Sequence, residues 1–223
     1  MRVPVILLAA ASALGATPAQ AQLNNGASGY SSADRTVSNQ LYWNFLDQIG
    51  PCLANQKEDQ STAFVDSVIG SREETEAFDV LFNRGRNRRN NCMGNFSGVY
   101  GAQRAHIRGS VAEGLFERLP DDVIAAFIAT PPAGPERIDT LHDFARCYVV
   151  AHPETTREFL RRTDNHADGE MEFIAERMMG DFGPCLPEGR DVEFTAISVR
   201  ASFAEAAWRA ATGRPAPQMQ GSN

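Results

Sequence analysis

The sequence predicts an all-α protein made of two tandem copies of a roughly four-helix, disulfide-bridged unit, packed together as one pseudo-symmetric domain. Three observations carry this. Cys52 lies 12 residues before Phe64 and Cys147 lies 12 before Phe159, with second cysteines following at Cys92 and Cys185. The stretch Arg108-Gly-Ser-Val-Ala-Glu113-Gly-Leu-Phe116 is echoed by Arg200-Ala-Ser-Phe-Ala-Glu205-Ala-Ala-Trp208. Apolar residues recur at spacings of three and four, whereas strand-like alternation is scarce.

The first 21 residues read as a secretory signal, with Arg2 at the positive end, an apolar stretch over 5–15 and the small-x-small site Ala19-Gln-Ala21. Mature chain is expected from Gln22. No run of apolar residues approaches the roughly 20 that a transmembrane helix needs. Residues 22–37, rich in Asn, Gly and Ser, are expected to form a flexible arm.

The first copy spans 38–119. Ser38 is its candidate cap, and Leu41, Phe45, Leu46 and Ile49 form a helical stripe that Gly50-Pro51 should end or kink before Cys52. A further helix is expected around 74–82. The last helix carries Ala102, Ala105, Gly109, Ala112 and Phe116 on one face. Residues 120–137 form a linker in which Pro120-Asp-Asp122 opens a short helix through Phe127, stopped by the prolines at 131, 132 and 135.

The second copy spans 138–212. Asp139 is its candidate cap, Leu141, Phe144, Ala145 and Tyr148 its first stripe, and Pro153 opens a short helix through Leu160. Another helix is expected around 171–179. Phe194, Ile197, Ala201, Ala204 and Trp208 mark the last, before Gly213 and Pro215 stop it and a flexible tail, 213–223, follows. Small residues at the centre of both final stripes would let a neighbouring helix approach closely.

An oxidising compartment favours disulfides over thiol chemistry. Four cysteines allow three pairings, and a duplication most simply repeats one internal bridge, Cys52 to Cys92 and Cys147 to Cys185. Removing the signal leaves 20 basic against 28 acidic residues, a net charge of −8. That balance argues against general binding to nucleic acid or anionic membrane.

The repeated polar element holds Arg108, Ser110 and Glu113 in one copy and Arg200, Ser202 and Glu205 in the other. Arginine and glutamate five apart are about 140° apart around a helix, so each must seek a different partner. The structural reading makes each arginine a clamp on a neighbouring helix end or carboxylate and each glutamate part of a solvated edge. The functional one makes them the polar lining of a groove. Arg84, Arg86, Arg88 and Arg89 form the concentrated basic patch and are a candidate anion site. Asp164-Asn-His166-Ala-Asp168-Gly169 resembles the start of a calcium loop, but the closing twelfth position is Ala175, so no metal is assigned. The adjacent acids Glu58-Asp59, Glu73-Glu74 and Asp121-Asp122 fall in predicted first turns, where the helix dipole favours them.

The pattern Phe144-Ala-Arg-Cys-Tyr-Val-Val150, Pro153, Cys185-Leu186 and Arg200-Ala-Ser-Phe-Ala-Glu205 resembles that of exported proteins of sphingomonad-type alphaproteobacteria. The resemblance implies export and the repeated organisation, and it implies no chemistry, catalytic residue or cofactor. The resulting expectation is an exported, non-enzymatic binding or structural module with a protein or small-molecule partner. The competing expectation is a small periplasmic hydrolase or other enzyme using His142, His152, Asp164, His166 and Asp168; a thiol-nucleophile reading of Cys147, flanked by His142 and His152, yields to the disulfide.

Overall fold

The computed structural model describes residues 40–82, 92, 103–162, 167–187 and 194–220, and among these every regular element is helical. Residues 1–21, read from the sequence as a signal, residues 22–37 with Ser38, and the arginine run at 84–89 lie outside the described residues, as do residues 164–166 of the calcium-like loop. Helix α1 covers Gln40–Gln56, α2 Glu58–Asp66, α3 Arg72–Leu81, α4 Arg104–Glu117 and α5 Asp121–Ala129. Helix α6 covers Leu141–Ala151, α7 Pro153–Arg162, α8 Ala167–Phe173 and α9 Ala196–Ala211. After α8 the chain continues through a π turn, Ile174–Met178, into two 3-10 turns, Met179–Asp181 and Gly183–Cys185. No helix of the described residues is long and apolar enough to cross a membrane.

Two local expectations are corrected. Helix α1 does not end before Cys52; it runs on with Pro51 inside it. The reason is tertiary: a Cβ on Gly50 would fall 2.0 Å from the Ser110 carbonyl oxygen, and one on Gly114 would fall 2.7 Å from Pro51 Cα. Backbone therefore meets backbone where α1 crosses α4, and the Ser110 hydroxyl donates to the Leu46 carbonyl on the turn before the proline. That contact ties α1 to α4 one turn ahead of the proline. The cap of α6 is Thr140 rather than Asp139. Thr140 accepts from the Asp143 N–H while the Asp143 carboxylate accepts from the Thr140 N–H, a reciprocal box that Asp139 cannot make one residue earlier.

The centre of the molecule is the pair α4 and α9. Residues 105–116 and 196–210 are buried without interruption, so both helices are covered all round rather than along one stripe. Helices α1 and α2 pack on α4; α6, α7, α8 and α5 pack on α9. The two central helices touch each other where a Cβ on Gly109 would fall 2.3 Å from Ala201 Cα, the small-residue approach that both stripes anticipate. Beside α9, Tyr148 and Phe182 pack around Phe203 with ring centroids 5.2 and 6.3 Å away.

The bridges are Cys52–Cys92 and Cys147–Cys185, the expected pairing. Each ties the helix that starts its half to a segment ahead of the central helix, α4 or α9. Gly213, at φ 69°, takes the left-handed conformation that ends α9. The segment expected to be a flexible tail is held as far as residue 220. Ile69 donates to the Gln218 carbonyl at 2.8 Å and accepts from the Gln220 N–H at 3.0 Å, and the Arg214 guanidinium lies 4.4 Å over the Trp208 ring.

Two outcomes follow for stability. Gly109→Ala forces α4 and α9 apart and is expected to cost about 3 kcal/mol in urea denaturation, the upper end for overpacking, because a Cβ there would fall 2.3 Å from Ala201 Cα. Gly180→Ala, which meets nothing within 4 Å, should stay within about 0.5 kcal/mol of wild type. The bridges close separations of 40 and 38 residues. Replacing either pair by serine should cost roughly 2–5 kcal/mol, and peptide mapping without reductant should recover these two links alone.

Candidate functional site

The repeated polar element comes together at the crossing of α4 and α9, where each arginine takes the glutamate of the other half. Arg108 Nε donates to both Glu205 carboxylate oxygens at 3.1 Å. Arg200 donates from Nε to Glu113 Oε2 at 2.9 Å and from Nη2 to Glu113 Oε1. Arg108 is 1% exposed and Glu205 1%, so these charges meet in the dry interior. The five-residue spacing thus serves two contacts across one helix pair.

Each guanidinium also caps a helix end. Arg108 donates to the carbonyls of Phe64, Val65 and Ser67 at the C-terminus of α2, where the dipole is negative. Arg200 donates to the Leu160 carbonyl in the last turn of α7 at 3.1 Å. The Phe64 and Phe159 rings lie beneath Arg108 and Arg200, each 5.7 Å from centroid to guanidinium carbon. A further carboxylate completes each set: Glu74 of α3 at 3.3 Å from Arg108, and Glu170 of α8 bonded to Arg200. Arg209, one turn beyond Glu205, donates to it at 3.0 Å.

The arginine clamp of the structural reading is therefore present, whereas the solvated edge is not. Glu113 and Glu205 are buried because the second face of each central helix is covered by the other. Glu74, Glu170 and Arg209 are partners that the sequence reading missed. Glu74 was accounted for by its first-turn position, which the helix dipole already explains, and Glu170 follows a segment read as a loop. The serines diverge: Ser110 bonds across to α1, but Ser202 donates to the Val199 carbonyl of its own helix at 3.1 Å.

Electrostatics agree with the geometry. Burial alone would raise the Glu205 carboxyl, but Arg108, His142 and Arg209 outweigh it and hold Glu205 below the usual carboxylate range. Burial would likewise lower the Arg200 guanidinium, and Glu113 and Glu170 reverse that and push it up. A small cavity of about 20 Å³ lies against Glu113, Arg200, His106 and Trp43, room for about one water.

The histidines disperse. The Tyr42 hydroxyl lies 2.9 Å from His106 Nδ1. His142 and His152 sit at opposite ends of α6, about 15 Å apart by helical rise. His142 is buried towards Glu205, while His152 stacks on Tyr148 at 4.7 Å with its Nδ1 4.0 Å from Asp181. Burial, then Asp181, push the Tyr148 phenol up. Cys147 is bridged, which removes it as a nucleophile. The Asp164 and His166 positions lie outside the described residues, as does the Asp168 side chain.

An open groove of about 930 Å³ runs between α5 and α7. Ala125, Ile128 and Ala129 form its apolar wall; Glu154, Arg157, Glu158 and Arg161 form the facing wall. Both sets follow three-four spacing, so each is one stripe of its helix. The sequence reading placed both helices but not this pairing of their faces.

Because Glu205 is held low, its contribution to stability is complete above about pH 4.3, the unfolded carboxylate value, and is lost as pH falls through the folded value. Glu205→Gln, which strands Arg108 and Arg209 in the interior, should cost about 3–5 kcal/mol at neutral pH. It should also flatten the acid limb of a stability–pH curve from chemical denaturation.

Comparison with family models, with curated proteins and with solved structures gives no match.

Proposed function

We propose that the chain is an exported, non-enzymatic helical module, formed by duplication of one disulfide-bridged unit, that binds a partner in the groove between α5 and α7. The observation that carries the binding role is the groove itself: an apolar stripe facing a charged stripe, with a volume in the range of small-molecule sites. The repeated arginines and glutamates are committed to each other and to helix ends, so the polar groups common to both halves serve as scaffold. Duplication is supported by the exchanged Arg–Glu pairs, the equal arginine–phenylalanine distances and the two bridges of like span. Export to a periplasm or cell surface is supported by the N-terminal segment, by the bridges, which fit an oxidising compartment, and by the resemblance to exported alphaproteobacterial proteins.

Native mass spectrometry of protein taken from the periplasmic fraction tests this. The expected species begins at Gln22 and carries a non-covalent small molecule that is absent when Ala125→Trp fills the groove. Retention of residues 1–21, or identical ligand-free masses for wild type and Ala125→Trp, would overturn the corresponding part of the reading.

A further inference from the structure

The four charges along the α7 wall of the groove are not equivalent. Glu158 is engaged by Arg177, whose Nη2 donates to it at 3.2 Å. Glu154 lies in the first turn of α7, where the helix dipole favours a carboxylate. Arg157 differs from both: its Nε is sealed from solvent and has no hydrogen-bond partner among the described residues. Arg161 follows one turn later on the same stripe and is exposed, with an electrostatic interaction with Glu117 at the end of α4. The Arg157 guanidinium as a whole is only half-buried, so its outer donors stay within reach of an oxyanion entering the groove. The opposite wall offers only methyl and sec-butyl surface from Ala125, Ile128 and Ala129.

We propose, resting on the binding function above, that the groove takes a single-chain amphiphile with an anionic oxygen head. The head sits between Arg157 and Arg161, and the chain lies along Ala125, Ile128 and Ala129. The apolar wall from Ala125 to Ala129 is about 6 Å long at the helical rise, so it suits a short or medium-length chain rather than a long one. A carboxylate and a phosphate monoester present the same oxygen edge to a guanidinium, and the chain of either meets the same wall.

The test is an NMR titration of the isotope-labelled mature chain with decanoate, decyl phosphate, decyl maltoside, decyltrimethylammonium, acetate and inorganic phosphate, each below its micellar range. Decanoate or decyl phosphate should saturate with shifts at residues 125, 128, 157 and 161, at least tenfold tighter than the maltoside and the ammonium compound. The tighter of the two anions identifies the head as carboxylate or phosphate. Arg157→Gln should weaken that binding at least tenfold while leaving the melting temperature within a few degrees, and Ile128→Asp should abolish it. Equal binding of the maltoside, unchanged in Arg157→Gln, would overturn the anionic head and leave the groove as a binding site. Acetate or inorganic phosphate binding as tightly as its decyl counterpart would overturn the amphiphile. No shift at the groove with any of the six would overturn the proposal altogether.

Discussion

Once Gly109 lies against Ala201, neither Arg108 nor Arg200 can reach water, and the arrangement of the other helices answers that constraint. Two buried guanidiniums demand carboxylates and carbonyls within reach, because an uncompensated ion in the interior costs several kcal/mol. Helix α2 therefore ends where Arg108 can take its last carbonyls, and α7 ends beside Arg200. Helices α3 and α8 each bring one further carboxylate. The close crossing and the buried charges are thus a single requirement seen from two sides: the glycine brings the backbones together, and the exchanged pairs make the resulting dry interface tolerable.

The groove belongs to a different part of the molecule. Helix α5 buries only Ile124 and Phe127, leaving the Ala125 and Ala129 side exposed, and α7 buries Phe159 and Leu160 while turning its charged stripe outward. Both rest on α9. A binding face mounted on the rigid central helix, yet taking none of the charges that hold that helix, can vary without loosening the core. This separation is why a scaffold motif and a binding surface need not share residues.

Much of the architecture is legible from spacing. The three-four apolar pattern of α9 and the paired cysteines are local or combinatorial signals, and the acids at 58–59, 73–74 and 121–122 mark helix starts through the helix dipole alone. What escapes the sequence depends on a second helix. Pro51 reads as a break until α4 presses against it, and Glu113 reads as surface until α9 covers it. Glu74 looks explained by its first turn, which hides its contact with Arg108. Arg157 is one charge among four on a polar stripe, and only the folded chain distinguishes it, through an Nε with no hydrogen-bond partner among the described residues.

The exchange of partners also sets an order of events during synthesis. Arg108 leaves the ribosome 97 residues ahead of Glu205, and Glu113 precedes Arg200 by 87. The N-terminal half therefore emerges with Glu74 as the carboxylate within reach of Arg108, while Glu205, which Arg108 binds through both carboxylate oxygens, follows later. Cooperative closure must wait for α9, the last helix of the described residues. Contacts this distant in sequence lengthen the interval during which α1 and α4 stay incompletely packed. An early Cys52–Cys92 link, which needs only the first half, would hold that half near its final topology while the remainder arrives.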